Sequence, residues 1–114
     1  MSQDSHYVKA FNETLRAYDS SGGDSTYQAV GAAFTHPIRM LKFKNDSDAD
    51  ITISYDGVTD HDIILAGDRE IEDLTSNKTI SEGLVRKHGT QIYASSAAGT
   101  GNLYITAIYA AATG

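Results

Sequence analysis

The side chains best suited to chemistry fall in short acidic clusters. Asp46-Ser47-Asp48-Ala49-Asp50 places carboxylates at alternate positions, the spacing that opens a calcium-binding loop. Such a loop also needs glycine at its sixth position, for the sharp turn, and a bidentate glutamate at its twelfth. Those positions hold Ile51 and Gly57, so Asp46, Asp48 and Asp50 read better as a solvated acidic β-turn. Asp56, Asp60, His61 and Asp62 form a second group, and carboxylates beside an imidazole can hold a divalent cation. Turns between strands recruit the same residues, because an Asp side chain accepts from nearby backbone N–H groups. The turn reading is preferred in both places, and no metal or other cofactor is expected.

Catalytic patterns fare no better. His6, His36, His61 and His88 form no HExxH pair, and no G-x-S-x-G elbow follows a strand. Glu70 and Glu72 lie two apart on an expected strand and share one face, the usual arrangement of a solvated surface rather than of a glycosidase pair. Gly99-Thr100-Gly101 lacks both the G-x-G-x-x-G pattern and a following Lys-Ser/Thr, so it reads as turn chemistry rather than a phosphate loop. The absence of cysteine removes thiolate nucleophiles, disulfides and Cys-based zinc sites. No enzymatic activity is expected.

The composition narrows the partners. The net charge is −6 with a pI of about 4.9, and nine Lys and Arg residues are scattered among fifteen acids. Nucleic-acid affinity rests largely on clustered cations, and an anionic membrane surface makes the same demand, so neither is an expected partner. No apolar run approaches the ~20 residues of a membrane span. Met1-Ser2-Gln3-Asp4 lacks the basic n-region of a secretory signal, and the expectation is a soluble protein made in the cytosol.

The elements that must position these residues are short strands. At 114 residues the chain fits one domain, which buries roughly two thirds of its unfolded surface and needs no staple. From Tyr27 onward, apolar runs alternate with turn signals about every eight to twelve residues, the spacing of a sandwich or barrel. Ile51, Ile53 and Tyr55 alternate with Thr52 and Ser54, Asp56-Gly57 follows as a hairpin turn, and His61 to Leu65 returns. Arg69 to Leu74 alternates with Ile71 inward and Leu74 nearly so. Ile38 to Lys44 is a strand that Asn45 to Asp48 ends, and Tyr27 to Phe34 is a strand that Gly31 bulges. The spacing of Val8, Phe11, Leu15 and Tyr18 also permits a short amphipathic helix, but an extended arm over residues 1–12 with a strand from Glu13 to Tyr18 is favoured. The domain proper then spans 13–114 as an antiparallel β-sandwich, jelly-roll or Ig-like, of about seven or eight strands.

Thr90 to Ser96 and Asn102 to Ala110 suggest a closing hairpin. Face matching pairs Ile92 with Ile105 and Ala94 with Leu103 inward, and sets Tyr93 opposite Tyr104 outward. The last strand is apolar on both faces, whereas an exposed sheet face alternates with polar residues. Its outer residues, Tyr104 and Ile108, must therefore be covered, either by the chain itself or by another subunit, where tyrosine is enriched. With Tyr93 beside them, and Tyr7 and Phe11 on the arm, these residues are the candidate assembly interface.

The stretch from Tyr27 to Ala110 resembles a group of short virion-associated proteins of tailed bacteriophages. The resemblance runs through Tyr27-Gln28-Ala29-Val30-Gly31, Phe34-Thr35-His36-Pro37, Lys42-Phe43-Lys44-Asn45-Asp46-Ser47 and Tyr55-Asp56-Gly57-Val58. It continues through Ala66-Gly67, Asp73-Leu74-Thr75-Ser76-Asn77-Lys78, His88-Gly89-Thr90-Gln91-Ile92-Tyr93 and Gly99-Thr100-Gly101-Asn102-Leu103-Tyr104. It implies a β-sandwich component of a virion, made in the host cytoplasm. Such a component forms symmetric homo-oligomers, contacts other virion proteins, and has no catalytic residues to transfer. The alternative from another class is a carbohydrate- or receptor-binding module, with calcium held at the acidic turns and tyrosines stacked on sugar.

Overall fold

The computed structural model describes residues 8–74 and 85–112, with side chains over 10–74 and 85–110. Nine strands appear there: β1 (Val8–Asn12), β2 (Arg16–Asp19), β3 (Gln28–Ala29), β4 (Ile38–Ser47), β5 (Ile51–Ser54), β6 (Asp62–Ile64), β7 (Arg69–Asp73), β8 (Tyr93–Ser95) and β9 (Gly101–Ala112). One 3-10 turn, Ser20–Gly22, is capped by Asp19, whose Oδ1 accepts from the Ser21 N–H at 2.9 Å.

The strands form two antiparallel sheets, one ordered β1-β9-β4-β7 with β2 also on β9, the other β3-β8-β5-β6. β1 and β2 run along the same edge of β9, interrupted at Glu13–Leu15. Taken as one strand, they pair with β9, β3 with β8, β4 with β7 and β5 with β6. First pairs with last and innermost with innermost, as in a long hairpin rolled up on itself. Rolling then sets β9 beside β4 and β8 beside β5. This is the jelly-roll order of an all-β sandwich.

Alternation decides what each strand buries. On β4 Leu41 and Phe43 turn inward while Lys42 and Lys44 face out; on β9 Leu103, Ile105 and Ala107 turn inward. Ile51, Ile53, Ile64, Ile92 and Ala94 meet them from the other sheet, and Val30 and Phe34 close the gap. Each large aliphatic buried this way contributes roughly 1.5–3 kcal/mol. Asn45 sits in the same interior with its amide donating to the carbonyls of Ala49 at 2.8 Å, Ile64 at 2.9 Å and Leu65 at 3.2 Å.

Several expectations hold. The β5–β6 hairpin pairs Ile51 with Ile64 and Ile53 with Asp62, and Gly57 takes the positive φ (+78°) that its turn requires. The segment from Val8 to Tyr18 is extended, not helical, but Val8–Asn12 is a sheet strand, β1, on the end of β9 rather than a free arm, and the next strand is Arg16–Asp19 rather than Glu13 to Tyr18.

Others are corrected. β8 and β9 are not a hairpin: β8 lies between β3 and β5, while β9 pairs with β1, β2 and β4. Residues between them cross from one sheet to the other, pinned by Gly99 N–H donating to Ser20 O at 3.0 Å and Thr100 N–H to Asp48 Oδ1 at 2.8 Å. Ile92, Ala94, Leu103 and Ile105 do all face inward, but from opposite sheets, so Tyr93 and Tyr104 lie on opposite outer faces of the sandwich. Ile71 points outward and is 61% exposed, because β7 turns Glu70 and Glu72, not Ile71, toward the other sheet. β4 continues through Asn45 to Ser47 instead of ending there, and the Tyr27–Phe34 run contains only two strand residues.

Candidate functional site

Among the described residues no strand covers the outer face of the five-stranded sheet. Registers on β2, β9, β4 and β7 order its side chains in rows. Asp19, Asn102 and Asp46 form one row; Ala17, Tyr104, Lys44 and Arg69 the next; Thr106, Lys42 and Ile71 the third; Ile108, Met40 and Asp73 the fourth. Asn102 Nδ2 reaches the Tyr104 hydroxyl at 3.4 Å, which ties the first two rows together. None of these residues is buried, and the second sheet packs on the opposite side. Lys42, Lys44 and Arg69 flank Tyr104 and Ile71 around a groove of about 450 Å³, and among the described residues these cations form no ion pair.

The residues expected at an interface divide between surfaces. Tyr104 and Ile108 lie on this face. Phe11 lies on β1 opposite Tyr109, its ring stacked on that tyrosine at 5.6 Å between centroids, and is 39% exposed. Tyr93 belongs to the second sheet, where its ring packs against Gly57. Tyr7 lies outside the described residues.

The acidic clusters are built into turns. Asp48 Oδ1 accepts from Thr100 N–H and Asp50 Oδ1 from Ala66 N–H, each at 2.8 Å, and Asp46 is exposed at the end of β4. Asp56 Oδ1 accepts from the N–H groups of Thr59 at 2.7 Å and Val58 at 2.8 Å and from Ser54 Oγ at 2.8 Å. Those bonds, Thr59's foremost, hold its carboxyl well below the usual range. Asp60 accepts from the Tyr27 hydroxyl; burial first, then that bond, pushes the phenol up to about 12. Among the described residues no three His, Asp or Glu side chains converge as metal ligands.

Two polar clusters escaped sequence reading. Glu13, its side chain 5% exposed, accepts from Arg16 Nη2 at 2.8 Å and from Thr35 N–H and Oγ1 at 3.1 Å, and bonds His36 Nδ1 at 2.8 Å. Burial alone would raise this carboxyl, but the bonds from Arg16, His36 and Thr35 outweigh it and hold the pKa down. The His36 ring stacks on Tyr109, centroids 3.7 Å apart, beside a cleft of about 470 Å³. The cleft's strongest polar groups are thus satisfied by one another.

The second cluster joins the sheet edges. Glu72 accepts from Arg86 Nε at 2.7 Å and Nη2 at 2.8 Å, Tyr55 donates to Glu72 at 3.3 Å, and the Arg86 guanidinium covers the Tyr55 ring at 3.9 Å. Burial, then the Glu72 charge, raises the Tyr55 phenol, and Glu72 in turn raises the Arg86 guanidinium. Next to it Glu70 shares a hydrogen bond with Asp62, which, with burial, pushes its pKa up to about 7. No spacing rule points to either cluster, because its members come from segments brought together only by the rolled topology.

Comparison with protein-family models, curated proteins and solved structures gives no match for this chain.

Proposed function

We propose that this chain is a non-enzymatic structural subunit of a tailed-bacteriophage virion that self-associates and docks on the particle as a head decoration, collar or tail component. The observation that carries the reading is the outer face around Tyr104 and Ile108. β9 is apolar on both sides, its inner side fills the core, and no described strand packs over the outer side. Tyr104, Ile108, Met40 and Ile71 leave apolar area among the charged residues of this face, the mixture of an aromatic and aliphatic patch with a polar rim that suits contact with another surface. The motif resemblance between Tyr27 and Ala110 supports the virion setting. Jelly rolls serve viral capsid domains and lectins alike, so topology supports the role only in company with the face.

Mass spectrometry of purified particles tests the reading directly. The chain is expected in stoichiometric amounts, and imaging of the particle then gives its position. Absence from particles would overturn the virion role, and a monomer at high concentration would overturn the self-association. The carbohydrate-binding alternative draws less support, since Asp56 already accepts hydrogen bonds within its turn, and Asp48, Asp50 and Asp60 accept from Thr100, Ala66 and Tyr27 of other segments. It requires a rise in melting temperature with millimolar calcium through ligand linkage.

A further inference from the structure

The outer face segregates its charge along the strands. The row carrying Asp19 and Asp46 is followed, two residues or roughly 7 Å further on, by the row carrying Lys44 and Arg69. Asp48 lies beyond the acidic row and Lys42 beyond the basic one. Lys44 and Arg69 stand directly opposite each other on neighbouring strands, a like-charge pair that costs stability unless an anion lies over it. Tyr104 lies beside them and Ile71 is exposed in the next row.

From this pattern we infer that the face is a self-complementary, two-fold dimer interface. It deepens the self-association proposed above and rests on that reading for its biological setting. A two-fold axis lying in the interface, across the strands and between the two rows, superposes the acidic row of one protomer on the basic row of its partner. Each strand then lies over its own copy, so Asp46 meets the partner's Lys44, with Arg69 one strand away, and the same contact repeats on the other side of the axis, as an isologous interface requires. Lys42 is carried toward the partner's Asp48 by the same operation. The like-charge pair acquires a counter-ion in the partner's Asp46, and Tyr104 is covered by the partner's Asn102.

The pattern also settles the choice of occupant. A nucleic acid would meet Asp19 and Asp46 as well as the cations. An unrelated acidic protein would leave the acidic row facing like charge. A second copy satisfies both rows at once. Four strands about 4.8 Å apart and seven residues of β9 make a face of roughly 450 Å² per protomer, near the lower limit for a specific contact. Each protomer carries −6, so the local match must outweigh a net repulsion, and it is the attraction between the matched rows that salt weakens.

Sedimentation of the full chain tests this. The wild type is expected to dimerise at micromolar to tens-of-micromolar concentration, with the dissociation constant rising several-fold between roughly 50 mM and roughly 500 mM salt. Lys44→Glu with Arg69→Glu should abolish the dimer. Asp46→Lys, which sets a cation over the partner's Lys44, should weaken it at least tenfold. Mixed in equal amounts, the two variants should form a mixed dimer that neither forms alone. Should the Glu variant not fold, Lys44→Gln with Arg69→Gln takes its place and should still weaken the dimer.

A monomeric wild type at 100-fold the expected constant, or variants that dimerise like the wild type, would overturn the inference. So would a mixture that stays monomeric. Particle mass spectrometry is independent: a chain found in virions but monomeric in solution sinks the dimer and leaves the role, and a charge-matched dimer absent from virions does the reverse.

Discussion

Arg86 and Glu72 form a two-pronged ion pair, Nε and Nη2 of the guanidinium lying 2.7 Å and 2.8 Å from the two carboxylate oxygens. The pair ties edge strand β7 to the segment leading into β8. The same guanidinium covers Tyr55, at the end of β5 in the other sheet, so one side chain bridges both sheets. Planar, two-pronged pairing distinguishes arginine from lysine. Arg86→Ala is expected to lower stability by about 1–2 kcal/mol, discounted because the pair is partly exposed. Arg86→Lys should recover less than half. Urea denaturation at unchanged slope checks both values.

Glu70 carries the pH dependence of this edge. Its folded pKa of about 7 lies above the ordinary value of 4.5, so the folded chain holds a proton that the unfolded chain has lost between those limits. The carboxyl's contribution is full below about pH 4.5 and is lost as the pH rises through 7. Glu70→Gln should therefore gain melting temperature over the wild type at pH 8 and lose that advantage at pH 4. Parallel melting curves across this range decide it; an advantage independent of pH would refute the shared proton with Asp62.

Asn45 is a second stability determinant. Its amide serves three carbonyls, and its oxygen accepts from Ser47 N–H at 3.2 Å. Removing the side chain strands acceptors in a site that is 1% exposed. Asn45→Ala should cost about 3 kcal/mol, and Asn45→Asp at least as much at neutral pH, since a carboxylate cannot donate. Chemical denaturation of both variants checks the order.

Two glycines with positive φ separate conformation from space. At Gly67, φ +78°, an added Cβ meets nothing within 4 Å, so Gly67→Ala should cost only the backbone penalty of about 1–2 kcal/mol. At Gly101, φ +104°, it would lie 2.2 Å from the Asp46 carbonyl oxygen and 2.9 Å from Ser47 Cα. Both are backbone atoms of the neighbouring strand, and Gly101→Ala should cost about 4 kcal/mol or prevent soluble expression. Circular dichroism melts distinguish the two.

How much of this was legible beforehand depends on the range of the interaction involved. Alternation along a strand is a local property of the pleat, and Asp-Gly and Ala-Gly turns carry their own backbone preferences. The all-β class, the β5–β6 hairpin and the inward set Ile92, Ala94, Leu103 and Ile105 therefore followed from residues and spacing alone. Which strand each set faces did not. An inward residue has the same character whether its neighbour is beside it in a ladder or across the core, so face matching joined β8 to β9 when the fold sets them in opposite sheets. Ile71 failed for a related reason. On a short edge strand the rim of the core can be closed by Glu70 and Glu72, and their partners, Asp62, Tyr55 and Arg86, are supplied only by the rolled chain. The charge rows across Asp46, Lys44 and Arg69 are likewise a product of register between distant segments. Local chemistry thus determined the strands and their faces, and tertiary closure decided their neighbours, because pairing in a jelly roll joins the chain's beginning to its end.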